Sequence, residues 1–306
     1  MYDIIGDIHG KADELEALLA MLGYVHSGSC FRHESCQAIF VGDFVDRGPL
    51  QRRVIDLVRR MVDGGAAKAV MGNHEFNAIG YHTPNEDGGF LRPRNSKNAL
   101  QHQAFLDEFE SHSERWQETI EWFKTLPLWL ELDGLRVVHA CWDPEYIKRL
   151  TDNYGESALL TDDLLREGSR RGTWQYQAIE TLLKGREIPL PESASFLDKD
   201  GIRRHEIRVR WWGRGKTYKD VYLGPESALT HIPDDPIQGD HVIDYGHNEK
   251  PVFIGHYWME GKPTPLAKNI ACLDYSVAKP GGKLVAYRWN GEAEIMEGNY
   301  AWVDCD

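Results

Sequence analysis

The first third of the chain alternates short apolar runs with segments whose apolar residues recur at helical spacing. The runs predict buried strands at residues 1–5, 37–41 and 66–71. The helical faces between them consist of Leu15, Leu18, Leu19 and Leu22, and of Val54, Ile55, Val58, Met61 and Val62. Glycines follow both helices, at Gly23 and at Gly64 and Gly65, as expected where helices end. This order of elements predicts parallel strands joined by right-handed crossovers.

The rest of the chain predicts two excursions and a β-rich end, within a single domain of residues 1–306. The first excursion, at about 80–126, is polar and turn-rich before two helical stretches, and the second, at about 144–208, is mostly helical. Later strands are predicted at residues 128–132, 135–139, 251–255, 270–274 and 283–289. Hairpin turns are expected at Asp133-Gly134 and near Asp200-Gly201.

Polar motifs come directly after five of the predicted strands. They are GDIHG at 6–10, GDFVDRG at 42–48, GNHE at 72–75, VHA at 138–140 and IGH at 254–256. Because ligands of open α/β sheets bind beyond the carboxyl ends of the strands, we expect these motifs to converge on one sheet edge. The helices that start after Gly10 and Pro49 point N-terminal amides at the same edge, which favours anions.

The side chains of these motifs suit two divalent metal ions. We expect one ion to be held by Asp7, His9 and Asp43, and the other by Asp43, Asn73, His139 and His256. Such ligands accept Mn²⁺, Fe²⁺ or Zn²⁺, and we expect Mn²⁺ first. Two ions about 3.5–4 Å apart would support in-line attack on phosphorus by a bridging hydroxide. The alternative for His139 and His256 is that they are core histidines.

Three further motif residues predict the remaining chemistry. Arg47 can hold two phosphate oxygens with its guanidinium group, and Asn73 can contact the same phosphate. His74 can protonate the leaving oxygen, and Asp46 can keep it cationic.

Other polar and aromatic residues have simpler interpretations. The cluster of Arg92, Arg94 and Lys97 is expected to be a solvated loop, and His102, His112 and His231 are expected to be surface or packing residues. A stripe of Trp116, Ile120 and Phe123 predicts core packing. Tyr275 is a candidate for the cleft wall.

Composition narrows the functional class. The formal net charge of −13 disfavours broad nucleic-acid binding, although two divalent ions would add about four positive charges where an anionic substrate binds. The sequence contains no stretch of about 18 apolar residues, so we expect no transmembrane helix. The chain reaches its first motif at Gly6, so we expect no signal peptide and a cytoplasmic location. The five cysteines are expected to be reduced and structural.

The motifs GDIHG, GDFVDRG and GNHE, in this order, resemble the phosphoprotein-phosphatase branch of the calcineurin-like metallophosphoesterases. The opening YDIIGDIHG is most similar to bacterial PrpE-type and diadenosine-tetraphosphatase-like members. The resemblance covers residues 1–79 and 126–142 well and 250–290 loosely. It implies a four-layer α/β/β/α sandwich and a dinuclear hydrolase with no phosphoenzyme intermediate.

The same resemblance implies a second phosphate-binding arginine in a W-x-R context. Trp212-Gly213-Arg214 fits this pattern, and Arg210 is a competitor.

Four functions follow from this sequence. The first is hydrolysis of phosphomonoesters, in phosphoproteins or small phosphate esters, and the alternative is cleavage of dinucleoside polyphosphates, with Trp211 and Trp212 stacking on a base. A phosphate-binding module without turnover and a nuclease are less favoured, because Asp43, Asp46, Arg47 and His74 are all present and the chain is acidic. The oligomeric state is not predicted.

Overall fold

A computed structural model describes residues 1–109, 113–156, 158–197, 203–238, 243 and 245–305. Its α-helices are α1 (Ala12–Leu22), α2 (Gln51–Asp63), α3 (Asn73–His82), α4 (Ser96–Gln101), α5 (Gln103–Glu108), α6 (Glu114–Lys124), α7 (Pro144–Tyr154), α8 (Asp162–Ser169), α9 (Trp174–Lys184) and α10 (Tyr218–Val221). Two 3₁₀ helices span Glu226–His231 and Glu297–Asn299.

Sixteen strands are described. Those of the first half are β1 (Tyr2–Ile5), β2 (Val25–Ser27), β3 (Cys30–Arg32), β4 (Gln37–Phe40), β5 (Ala67–Ala69), β6 (Trp129–Glu131) and β7 (Arg136–Val138). Those of the second half are β8 (Glu187–Pro189), β9 (Phe196–Leu197), β10 (Arg203–Arg204), β11 (Glu206–Arg208), β12 (Val252–Ile254), β13 (Ile270–Cys272), β14 (Asp274–Tyr275), β15 (Lys283–Trp289) and β16 (Tyr300–Asp304).

The first sheet has six strands in the order β14-β15-β1-β4-β5, with β16 paired to β15. Strands β1, β4 and β5 are parallel, with Tyr2 opposite Gln37 and Ala38 opposite Ala67, which confirms the predicted parallel order. A short hairpin of β2 and β3 that the sequence pattern did not predict follows α1.

The second sheet has the order β13-β12-β7-β6 and packs against the first. The core between the sheets contains Ile4 and Ile39 from the first sheet and Val137 and Phe253 from the second, all fully buried. Neighbouring residues such as Ile5 belong instead to the cluster on the helix side, because successive strand residues point to opposite faces. Helices cover the outer faces, so the predicted α/β/β/α sandwich is confirmed.

Most predicted elements outside the first third are confirmed. Strands β6 and β7 form the hairpin that turns at Asp133-Gly134. The turn expected near Asp200-Gly201 lies outside the described residues, although its flanks, β9 and β10, pair antiparallel. The first excursion contains three short helices, α4 to α6, where two stretches were expected, and the second contains α7 to α9. The division into one domain with these excursions stays a prediction.

Two further features bear on the predictions from composition. Among the described residues, no helix combines the length and apolar character that crossing a membrane requires. All five cysteines are buried, and no disulfide joins them.

The stripe of Trp116, Ile120 and Phe123 is buried, which confirms its packing role.

Candidate dinuclear metal site

The predicted metal ligands lie just beyond the carboxyl ends of strands from both sheets. In the first sheet, Asp7 and His9 follow β1, Asp43 follows β4, and Asn73 begins α3 shortly after β5. In the second sheet, His139 follows β7 and His256 follows β12. The stacked sheets therefore place all six ligands at one common edge.

Asp43 occupies the centre of this cluster. Its Oδ2 lies 3.7 Å from Nε2 of His9 and 3.4 Å from Nε2 of His139. The Oδ1 atom of Asn73 lies 3.2 Å from Nε2 of His139 and 2.7 Å from Nδ1 of His256. Asp43 thus belongs to two groups of possible ligand atoms, one with His9 and His74 and one with His139 and His256, each within 4.8 Å. A bridging carboxylate requires such a shared position.

Unpaired buried atoms and fixed tautomers fit metal ligation at this cluster. Oδ1 of Asp7 and Nε2 of His9 are buried and have no hydrogen-bond partner in the described part of the chain. His9 donates from Nδ1 to the Val45 carbonyl at 2.9 Å, and His139 donates from Nδ1 to the Val41 carbonyl at 2.8 Å. These bonds occupy Nδ1 of each ring and leave Nε2 as the atom at which a metal would bind. Because buried polar atoms nearly always have partners, the unpaired atoms suit the role of ligands.

Three carboxylates of the site are buried close to one another, an arrangement that favours the binding of cations. Asp7, Asp43 and Asp274 are at most 2% exposed. Burial and the charge of Asp274 raise the pKa of Asp7 well above its ordinary value. Burial would raise the pKa of Asp43 too, but the imidazoles of His139 and His74 hold it well below its usual range. Divalent ions would stabilise all three ionised carboxylates, since nearby opposite charge favours the charged form.

The histidines differ in their protonation. Burial, and then the charge of His74, lowers the pKa of His9 to about 3. Burial and the charge of Arg208 lower the pKa of His256 well below its ordinary value. Both rings are therefore neutral at pH 7, the form that coordinates metals. Burial would also lower the pKa of His139, but Asp43 and Asp7 raise it to about 10, so that metal binding there would release a proton.

The backbone of the site is strained. Six of the eight described non-glycine residues with positive φ lie here, namely His9 (46°), Asp43 (52°), Asp46 (68°), Arg47 (71°), His256 (71°) and Trp258 (53°). Left-handed backbone at such residues costs about 1–3 kcal/mol each and is concentrated at functional sites. The strain therefore marks the same loops as the ligand positions.

Two glycines make room for the carboxylates. A Cβ atom on Gly72 would lie 2.2 Å from Oδ1 of Asp43, and one on Gly255 would lie 2.0 Å from Oδ1 of Asp7. Both distances are far below any ordinary contact, so no side chain fits at either position.

Glu75, to which the sequence assigned no role, holds the central loop in place. Its Oε2 accepts the amides of Asp43 at 2.8 Å and Gly72 at 3.0 Å, and its Oε1 accepts the amide of Phe44 at 2.8 Å. The side chain is fully buried, and burial together with the charge of Asp43 raises its pKa to about 7. Its place at the end of the GNHE motif was the only signal in the sequence.

His74 and Asp46 form the predicted pair. Nδ1 of His74 donates to Oδ2 of Asp46 at 2.5 Å, and Nε2 of His74 lies 3.9 Å from Oδ2 of Asp43. Burial would lower the pKa of His74, but Asp43 and Asp46 raise it above its ordinary value. His102, expected to be a surface or packing residue, is buried and donates from Nδ1 to Oδ1 of Asp46 at 2.8 Å. No local pattern in the sequence indicated this contact.

Arg47 lies on an aromatic support. Its side chain is exposed, and its guanidinium carbon lies 3.8 Å from the centre of the Trp258 ring. The Trp258 amide donates to Oδ2 of Asp274 at 2.7 Å, which ties this support to the buried acid beside the metal ligands. Stacking of this kind restrains a guanidinium group while its N–H groups remain able to donate.

The second arginine at the site is Arg208, which the sequence did not single out. Its Nη1 lies 3.2 Å from Nε2 of His256, and its Nη2 donates to Glu187 at 3.2 Å. Arg214 and Arg210 are both exposed, and no side-chain hydrogen bond, ion pair or ring contact in the described ranges links them to the cluster. The structure therefore brings Arg208, rather than the predicted Arg214, to the ligands.

The remaining predictions have mixed outcomes. Arg94 and Lys97 are exposed, as expected of a solvated loop, whereas Arg92 is half-buried and donates to Gln101 at 2.7 Å. Tyr275 packs between the two sheets and does not line the cleft. His231 is exposed as predicted, and His112 lies outside the described residues.

Similarity to known proteins agrees with this geometry. The chain is 32% identical over 177 residues to the asymmetrical bis(5'-nucleosyl)-tetraphosphatase PrpE of Oceanobacillus iheyensis, covering 56% of this chain and 67% of that protein. The match to the PrpE of Bacillus subtilis is 45% identical but spans only 24% of this chain and 30% of that relative. A symmetrical bis(5'-nucleosyl)-tetraphosphatase of Hamiltonella defensa is 26% identical, with 97% of this chain and 96% of that protein covered.

Solved structures share the fold at low sequence identity. A crystal structure provisionally named as a diadenosine tetraphosphatase has a TM-score of 0.51 and 18% identity, covering 99% of this chain and 93% of that one. A cold-active protein-tyrosine phosphatase of a psychrophile Shewanella species has a TM-score of 0.50 and 17% identity, covering 95% and 75%. The family model for calcineurin-like phosphoesterases matches residues 2–256, which include every predicted metal ligand. The chain therefore belongs to the calcineurin-like phosphoesterase family.

Proposed function

We propose that this hydrolase is a dinuclear metal-dependent phosphoesterase that cleaves dinucleoside polyphosphates. The observation that carries the dinuclear site is the position of Asp43, whose Oδ2 is within 3.7 Å of ligand atoms on both sides. With Asp43, Asp7 and His9 would hold one ion, because each has a buried atom without a hydrogen-bond partner in the described chain, and Asn73, His139 and His256 would hold the other. The donor set suits Mn²⁺, which is the ion we propose.

The residues of this chain have distinct roles in the proposed reaction. When bound, the two ions would lower the pKa of a water molecule and neutralise charge on the phosphoryl group. Arg47, stacked on Trp258, and Arg208, beside His256, would donate to phosphate oxygens with guanidinium forks that match the phosphate geometry. His74, protonated through its bond to Asp46, gives its Nε2 proton to the leaving oxygen.

Relatives support the dinucleotide as substrate more than the phosphomonoesters expected first. One relative that matches over nearly the full length is named a symmetrical bis(5'-nucleosyl)-tetraphosphatase. The predicted pair of tryptophans does not offer two stacking surfaces, because Trp211 is only 2% exposed and donates from Nε1 to the Ala140 carbonyl at 3.1 Å. Trp212 is half-buried against Tyr257, with ring centres 4.9 Å apart, and is the better surface for a base.

Product analysis of the Mn²⁺-loaded protein tests this proposal. Diadenosine tetraphosphate is offered beside phosphoserine, phosphothreonine and phosphotyrosine peptides, and the nucleotides are separated by chromatography. We expect the dinucleotide to be preferred; two ADP would mark symmetrical cleavage, and ATP with AMP would mark asymmetrical cleavage. Preference for a peptide would replace the dinucleotide with a phosphoprotein. Turnover of neither substrate, with both ions bound, would refute the proposed substrate class.

A further inference from the structure

A line of buried polar contacts leads away from the metal ligands into the first excursion. Asp46 and His102 are 3% and 5% exposed, and the two oxygens of Asp46 serve different partners. Oδ2 bonds to His74 at 2.5 Å, and Oδ1 bonds to His102 at 2.8 Å. We propose that His102 is a positioning residue, which holds Asp46 and thereby keeps His74 oriented as the acid of the reaction. This inference rests on the function proposed for His74.

The protons on this line follow from the chemistry of Asp46. Burial would raise the pKa of Asp46, but the hydrogen bonds from His102 and His74 hold it below its ordinary value. The group is therefore a carboxylate, which can only accept hydrogen bonds. Both histidines must then donate from Nδ1, which points Nε2 of His74 towards the cluster, 3.9 Å from Oδ2 of Asp43. Without His102, one oxygen of Asp46 would lose its donor, and its carboxylate could rotate.

His102 contacts residues of α5 and α3, and α6 contacts its partner in α3. It precedes α5, and its ring stacks on Phe105 with centres 4.6 Å apart and an interplanar angle of 14°. Its Nε2 lies 3.2 Å from Nε2 of His82 in α3, to which Trp116 in α6 donates at 3.4 Å. The ring therefore has little freedom to turn away from Asp46. The first excursion would therefore help to orient His74, through His102 and Asp46.

Kinetics on two aryl esters distinguish a role of His102 in orienting His74 from a non-specific structural effect of its substitution. Phenyl phosphate needs a proton on its leaving oxygen, whereas p-nitrophenyl phosphate hardly does. We expect His102→Phe, which keeps an aromatic ring but has no donor, to lower kcat about tenfold on phenyl phosphate and less than about twofold on p-nitrophenyl phosphate. KM should not change. His102→Asn should recover most of the loss, because its amide can donate to Asp46.

Phe105→Leu is the matched control, since it disturbs the same packing without removing a hydrogen bond. It should affect both esters equally, and circular dichroism should confirm that all variants are folded. Equal losses on both esters in His102→Phe would show a merely structural role and overturn the proposal. The same conclusion follows if His102→Asn is no better than His102→Phe.

A spectroscopic readout keeps the inference separate from the proposed function. The short bond between His74 and Asp46 should give a low-field proton resonance, assigned by its loss in His74→Asn. This resonance should shift in His102→Phe and stay in place in Phe105→Leu. An inactive wild-type protein would refute the proposed function alone, whereas an unmoved resonance in His102→Phe would refute the positioning role alone.

Discussion

Substitution of Gly255 by alanine should remove one metal ion and leave the other. The new Cβ atom would lie 2.0 Å from Oδ1 of Asp7, so the carboxylate must retreat by about 1.4 Å to reach the 3.4 Å of an ordinary contact. Metal–ligand distances tolerate only about 0.2 Å, so the ion held by Asp7 and His9 should be lost. The nearest atoms to the new Cβ atom belong to Asp7 and Val41 and not to His139, Asn73 or Asp43, so the ion held by these ligands should remain.

Metal content per chain, measured by mass spectrometry after dialysis against Mn²⁺, tests this expectation. We expect two ions in the wild-type protein and one in Gly255→Ala, with turnover lowered at least a hundredfold because both ions take part in the chemistry. Gly298→Ala is the control, since a Cβ atom there meets nothing within 4 Å. Two ions and normal turnover in Gly255→Ala would show that Asp7 is not a ligand.

Three further predictions test other parts of the site. Asp43→Asn should weaken both ions by at least about tenfold, and metal analysis showing one site full and the other empty would rule Asp43 out as the bridge. Arg208→Ala should raise KM on the order of ten- to a hundredfold, because a charged hydrogen bond to the substrate is lost. Arg214→Ala should leave KM unchanged. The reverse result would show that Arg214, and not Arg208, binds the phosphate. Glu75→Gln should lower the free energy of unfolding, measured by urea titration, by about 1–3 kcal/mol. The reason is that one carboxylate oxygen that accepts a buried amide is replaced by a donor. An unchanged urea midpoint would contradict this supporting role.

The strand ends and their ligands could be predicted because their signals are local. Each apolar run of the first third is followed within a few residues by its polar motif, so Asp7, Asp43 and Asn73 could be placed at one edge by the rule for parallel strands alone. His139 and His256 followed from the same reasoning in the second sheet. The hairpin of β2 and β3 was missed, because its residues are mostly exposed and carry no alternating apolar pattern.

Residues whose roles depend on distant contacts could not be found in this way. Arg208 lies in β11, which pairs with β8, and it reaches His256 48 positions further along the chain. The pattern around Trp212 is local and pointed instead to Arg214. His102 meets Asp46 across 56 positions, through helices whose packing no short motif encodes. Sequence patterns therefore placed the candidate ligands, and tertiary structure was needed to find the groups that contact them.

The hydrogen bond from the His256 amide to Oδ2 of Asp7 joins two positions 249 residues apart. Each sheet thus supplies only part of the ligand set, and an unfolded chain has no preformed site for either ion. By mass action, free metal at a hundred times its dissociation constant would add about 2.7 kcal/mol to folding stability per site. When metal is scarce, this stabilisation would be lost, and a larger fraction of the chains would be unfolded and open to proteolysis. The lifetime of the protein, as well as its turnover, would follow the supply of metal.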